Sequence, residues 1–123
     1  MRTRITGAEL EIMEYLWGSN KYYTFSELLE YFNNNQKKEW CKQTLNTNLL
    51  RLKKKGILKA EKVGTKQVYI PVLTQQQYEQ KCAEEMLIEL YGGKLSNLLV
   101  ALTGGNKISE AEKEELLEYI KRI

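Results

Sequence analysis

Histidine is absent from the 123 residues, and proline occurs once. Without imidazole there is no His-based general acid or base, no Ser-His or Cys-His nucleophile pair and no His-ligated zinc. The two cysteines, Cys41 and Cys82, lie far apart and form no Cys-x-Cys or Cys-x-x-Cys pair. Met1-Arg-Thr-Arg-Ile-Thr-Gly7 carries charges with no apolar signal core behind them, so a cytoplasmic protein without a disulfide is expected. No apolar run reaches the ~18 residues of a membrane span, and no membrane partner is expected. A single proline argues against a disordered linker. Carboxylates and lysines remain as catalytic candidates, but none are grouped for chemistry. The expectation is a protein that is not an enzyme and needs no cofactor or metal.

One further absence is local. Lys42-Gln-Thr-Leu-Asn-Thr-Asn-Leu-Leu-Arg-Leu-Lys-Lys-Lys-Gly56 holds no acidic residue, and none follows until Glu61. A helix that needs only solubility usually mixes Glu with its Lys. At about 100° per residue, Cys41, Leu45, Leu49 and Leu52 share one stripe. Gln43, Thr47, Arg51 and Lys54 lie opposite, flanked by Thr44 and Leu50. Gly56 is a natural residue to follow such a helix, and Lys53, Lys54 and Lys55 suit the negative end of its dipole. The formal net charge of +3 is divided unevenly. Residues 1–73 hold 13 Lys/Arg against 7 Asp/Glu, and residues 74–123 hold 6 against 9. The basic half suits a polyanion, and the acidic half does not need one.

The rest of the chain supplies a frame for that segment. Thr6-Gly-Ala-Glu9 reads as a capping box opening a helix that buries Leu10, Met13, Leu16 and Trp17. Gly18-Ser-Asn20 stops it. Thr24-Phe-Ser-Glu27 opens a second, short helix with Leu28, Leu29 and Phe32, which Asn33-Asn-Asn35 ends. The basic segment is the third helix. The period then changes: Ile57 to Val63 and Gln67 to Val72 flank Gly64-Thr-Lys66 as a β-hairpin. Three helices and a hairpin in this order predict a winged helix-turn-helix over residues 1–73, with Thr65 and Lys66 at the wing tip.

Residues 74–123 read as three more helices, making the fold mainly α. Thr74-Gln-Gln-Gln77 starts a long helix to Tyr91 with Tyr78, Cys82, Met86 and Leu90 in register, stopped by Gly92-Gly93. Leu95 to Leu102 is a short apolar helix closed by Gly104-Gly-Asn106. Ser109-Glu-Ala-Glu112 caps a last helix. Fifty residues bury little surface alone, yet these helices carry many large apolar side chains. Pairing with a second copy through Tyr78, Met86, Leu87, Leu90, Leu95, Leu98, Leu99, Leu102, Leu116, Leu117 and Ile120 would hide them in a two-fold dimer. Packing back onto the N-terminal domain is the alternative.

In a helix-turn-helix the second helix of the pair enters the major groove. Here it offers groups suited to duplex DNA. Arg51 matches guanine; Gln43 and Asn46 match adenine; Thr44 and Thr47 can meet a thymine methyl. Lys42, Lys54, Lys55 and the wing residue Lys66 are better placed for phosphates, and Thr65 beside it at the wing tip is counted with the DNA-binding residues. Trp40 is expected to anchor the loop in the core rather than to touch DNA. A winged helix that serves as a protein-interaction adaptor or anti-repressor, without duplex binding, is the second reading.

The chain also resembles the penicillinase and methicillin-resistance repressor family, which includes copper-responsive repressors (BlaI/MecI/CopY). Ile5-Thr-Gly-Ala-Glu9 with Met13 and Leu16-Trp17 is similar to the family's opening. Lys42 to Gly56 is similar to its recognition helix, Thr-x-x-Thr-x-x-x-Arg-Leu-x-x-Lys. Leu90-Tyr-Gly-Gly93 with Leu98 to Leu102, and Ser109 to Leu116, are similar to its C-terminal part. The resemblance implies a dimeric repressor on a dyad operator of TACA and TGTA halves. Thr44, Thr47 and Arg51 would sit in the major groove, with Lys42, Gln43 and Lys54 assisting and residues 74–123 dimerising. Two departures bear on control. The Cys-x-Cys pairs of copper-responsive members are missing, so metal sensing is not expected. The bond matching the Asn-Phe site at which penicillin-responsive members are cut is Ala101-Leu102, which would call for an inducing protease of different preference.

Overall fold

The computed structural model describes residues 3–104 and 108–123. Its elements run α1 (Gly7–Gly18), β1 (Tyr23–Thr24), α2 (Phe25–Glu30), α3 (Lys42–Lys54), β2 (Leu58–Val63), β3 (Lys66–Pro71), α4 (Gln75–Tyr91), α5 (Leu95–Thr103) and α6 (Glu110–Arg122). A π-helical turn, Tyr31–Asn35, continues α2. The mainly helical winged helix-turn-helix expected from the pattern is present, with one strand more than the hairpin. β1 pairs antiparallel with β3 through Tyr23↔Tyr69 and Thr24↔Val68, giving a three-stranded sheet in the order β1-β3-β2. Two residues are too few to show a period of two, so no alternation marks this strand in the sequence.

Helix starts show which local signals prevail. Thr24 and Glu27 form the complete capping box, with the Glu27 amide on Thr24 Oγ1 at 3.2 Å and the Thr24 amide on Glu27 Oε1 at 2.9 Å. Thr74 and Gln77 do the same, with the Gln77 amide on Thr74 Oγ1 at 3.1 Å and the Thr74 amide on Gln77 Oε1 at 2.9 Å. Ser109 accepts the Glu112 amide at 3.1 Å. The box expected at Thr6 and Glu9 does not form: the Thr6 side chain makes no cap bond. Glu9 is buried and meets Lys55 Nζ at 2.8 Å instead. A charge-assisted pair outweighs one local amide contact.

The contacts divide the chain into two compact units, residues 1–82 and 83–123. The first holds the core: Ile12, Met13 and Leu16 of α1, Leu28, Phe32, Leu45, Leu49 and Leu52 of the next helices, then Ile57, Leu58 and Tyr69. Leu10 and Trp17 are only half-buried, while Ile12 is fully enclosed. α1 thus buries a face broader than the four-residue stripe expected. Each enclosed Leu or Ile contributes about 1.5–3 kcal/mol relative to exposure. The unit reaches past residue 73 because the first turns of α4 join it. Tyr78 is 8% exposed, and its hydroxyl accepts the Ile5 amide at 2.8 Å. The Trp17 indole donates to the Leu73 carbonyl at 2.9 Å.

In the second unit no side chain is buried among the described residues. α5 and α6 enclose a cleft of about 700 Å³ walled by Leu98, Leu99, Leu102 and Leu116, with Glu112 and Arg122 at its margin. Ile88, Leu90 and Val100 are each about two-thirds exposed. Of the stop expected after α5, Gly104 returns its amide to the Val100 carbonyl at 2.9 Å, and Gly105 and Asn106 lie outside the described residues. No helix among the described residues is long and apolar enough to cross a membrane.

Candidate nucleic-acid interface

α3 is fixed at its start by the loop before it. Asn33 donates Nδ2 to the Trp40 carbonyl and accepts the Trp40 amide at Oδ1, both at 2.9 Å. The Trp40 ring stacks on Phe32 with centroids 4.7 Å apart. Trp40 therefore anchors the loop to the core, as expected. Cys41 does not join the buried stripe. It lies outside the helical period with extended φ and ψ, and its side chain is exposed. Its thiol sits 3.2 Å from Thr44 Oγ1, and that hydroxyl and the Thr44 amide hold it below the ordinary thiol pKa.

Inside the helix the two faces separate cleanly. Leu45, Leu49 and Leu52 are fully enclosed, and Asn48 turns its amide back to the Thr44 carbonyl at 2.9 Å. Lys42, Gln43, Asn46, Arg51 and Lys54 are exposed, and Thr44 and Thr47 are half-buried between the faces. Cys41, Gln43, Thr44, Thr47, Asn48 and Arg51 line a shallow hollow of about 260 Å³ on this side. Lys42, Arg51 and Lys54 have no ion-pair partner among the described residues. The first turn holds no acid, and Arg51, Lys53 and Lys54 crowd the last. The outward face is therefore cationic and rich in hydrogen-bonding groups.

Lys55 is different. Expected at a phosphate, it is drawn to Glu9, and its side chain is 27% exposed. Nothing in the local pattern marks this contact, because the partners are 46 positions apart. Glu9 is the residue of this region that spacing rules leave out. At the wing, Val63 pairs with Lys66 across Gly64 and Thr65. Gly64 has φ +67°, which a two-residue hairpin turn with glycine first requires. Thr65 and Lys66 are exposed at the tip.

The residues expected to dimerise are spread unevenly. Tyr78 is not among the available ones, because it belongs to the N-terminal core; its ring lies 5.3 Å from that of Trp17. Tyr78 and Cys82, one turn apart at the start of α4, both pack on that core, and helical register alone does not tell this part of α4 from the residues that follow. Leu87, Leu98, Leu99 and Leu116 are half-buried, while Met86, Leu90, Leu95, Leu102, Leu117 and Ile120 are exposed. Ala101 and Leu102 are exposed within α5.

A helix-turn-helix with a hairpin wing and an exposed basic second helix defines the winged-helix class. Within it, the sequence pattern of the penicillinase repressor family matches residues 5–122, and this chain belongs to that family. It is 29% identical to the penicillinase repressor of Bacillus licheniformis, over 96% of this chain and 90% of that one. Identity to the methicillin resistance regulatory protein MecI of Staphylococcus aureus (strain N315) is 25%, over 96% and 94%. The solution structure of the DNA-binding domain of the repressor BlaI superposes with a TM-score of 0.52 at 32% identity, covering 63% of this chain and 94% of that one. The monomeric form of Bacillus licheniformis BlaI in complex with the blaP half-operator gives 0.51 at 33% identity, over 61% and 88%.

Proposed function

We propose that this protein is a homodimeric transcriptional repressor that binds a dyad operator of TACA/TGTA type. Each protomer lays α3 in a major groove. The observation that carries this reading is the division of α3 into an enclosed leucine face and an exposed face without acids. Arg51, Gln43, Asn46, Thr44 and Thr47 are the base-reading set, and Lys42, Lys54, Thr65 and Lys66 meet phosphates. Similarity to a BlaI form solved with its half-operator supports DNA as the partner. Residues 83–123 supply the dimer contact, since their leucines lack cover within the unit. Two α3 helices held about one DNA turn apart bind where one would find too few contacts. Relief of repression follows from loosening that contact, and cleavage at Ala101-Leu102 would do so.

A gel shift with a TACA/TGTA dyad tests the reading. Binding should weaken steeply with salt as counterions are released. Arg51→Ala and Thr47→Ala should each cost roughly 1–3 kcal/mol of discrimination between operator and random DNA. Lys54→Ala should weaken both alike and lower the salt slope by about one. Absence of duplex binding at physiological salt would make the chain a protein-interaction adaptor instead. Equal loss on both DNAs for Arg51→Ala would remove its base-reading role.

A further inference from the structure

We propose that Glu9 is a positioning residue for the recognition helix, and that Lys55 is its internal counter-charge rather than a phosphate contact. The inference rests on the DNA-binding reading and deepens it. Glu9 is 7% exposed. A carboxylate in that setting needs a charged or strongly hydrogen-bonding partner, and Lys55 Nζ at 2.8 Å supplies one. Lys55 is the residue that caps α3, its amide returning to the Arg51 carbonyl at 3.0 Å. The Ile57 amide closes on Leu52 just beyond it, at 3.1 Å. The pair therefore ties the last turn of α3 to the first turn of α1.

The opposite end of α3 is tied as well, by the double hydrogen bond between Asn33 and the Trp40 backbone. Apolar packing of Leu45, Leu49 and Leu52 presses α3 against the core but resists a small roll about the helix axis only weakly. Two polar anchors, one at each end, fix that roll and so fix where Arg51 and Thr47 point. Buried ion pairs are more credible as such registry devices than as sources of stability. Pairing also removes one cation from the basic end of α3. Lys54, exposed one residue earlier, is left to meet a phosphate.

The experiment uses the full chain and reads operator and random duplex binding across a salt series. Alongside, amide exchange of residues 51–57 is measured without DNA. The variants are Glu9→Gln, the charge-balanced double change Glu9→Gln with Lys55→Met, and Lys54→Ala. The double variant should keep the wild-type salt slope, lose operator preference by roughly tenfold, and exchange faster over 51–57. Glu9→Gln alone frees Lys55 for the backbone of DNA, so its slope should steepen by about one. Lys54→Ala should flatten the slope by about one with preference intact. A double variant that loses a unit of slope would make Lys55 a phosphate contact and overturn the proposal. So would unchanged preference, or unchanged exchange over 51–57. Wild-type protein that binds no duplex sinks the DNA-binding reading itself, and the exchange data still decide whether the pair anchors α3.

Discussion

Removing one oxygen atom, by Tyr78→Phe, gives a sharp test of how the N-terminal unit is closed. The Tyr78 hydroxyl accepts the Ile5 amide at 2.8 Å, and Ile5 is 3% exposed. Phenylalanine keeps the ring against Trp17 but leaves that amide with no acceptor. A buried donor left without a partner costs about 1–3 kcal/mol. For a cooperative unit of this size, each kcal/mol lowers the midpoint by about 4–8 °C. Thermal unfolding of Tyr78→Phe, followed by circular dichroism at several protein concentrations, should show a loss of about 5–20 °C. Sedimentation should show no change in oligomeric state, because the side chain faces its own core. A midpoint within 2 °C of wild type, about the effect of a neutral surface change, would mean the bond is not formed in solution. A shift in the association constant would return Tyr78 to the dimer contact.

Three further outcomes follow. Cys41 should react with iodoacetamide faster than half-buried Cys82, with its rate rising at a lower pH than for an ordinary thiol, because Thr44 favours the thiolate; operator DNA should protect it, and equal labelling with and without DNA would place α3 outside the groove. Burial raises the pKa of Tyr69 and Tyr78 above the ordinary tyrosine value of about 10. The neutral phenols then stabilise the fold fully below pH ~10, and that part is lost as pH rises through the raised values; alkaline titration should show unfolding coincident with ionisation of these two tyrosines, and their titration at the ordinary value with the fold intact would contradict it. Leu99→Glu, which sets a charge in the α5–α6 cleft, should yield a monomer by sedimentation with operator affinity reduced at least tenfold; an intact dimer would move the contact elsewhere.

The parts of the fold that the sequence discloses are those governed by short-range rules. Thr24 and Thr74 sit where three-residue spacing to Glu27 and Gln77 places both capping bonds, and both form. The leucine stripe of α3 is legible because its period is repeated and nothing competes with it. Where a stronger distant partner exists, local rules lose. Glu9 abandons Thr6 for Lys55, and Tyr78, though in register on α4, meets Ile5, 73 positions away. β1 is invisible because two residues carry no pattern, and its pairing comes from β3. Cys41 shows the limit of a helical wheel, which places side chains only where the backbone is already helical. The candidate interface and the Trp40 anchor beside it are legible in composition and spacing, while the Glu9–Lys55 pair and the Asn33 partner of Trp40 are not.

The grip of Asn33 on Trp40 has a practical corollary. A side-chain amide there takes the part that a neighbouring strand plays in a sheet, satisfying both main-chain groups of Trp40. The loop between those two residues is closed at its base, and within it Lys38 is tied down by its amide on the Phe32 carbonyl at 2.8 Å and by its ion pair with Glu11 at 3.0 Å. Lys37, at φ +54°, occupies a left-handed conformation that few side chains choose, held between Gln36 and the anchored Lys38. Extra length spliced between Lys38 and Glu39, such as a dye-binding tag, would lengthen the loop after the Lys38 contacts while the Asn33–Trp40 bonds still close it at the start of the next helix. The molecule thus contains a point for fitting a reporter beside the proposed DNA-contacting helix.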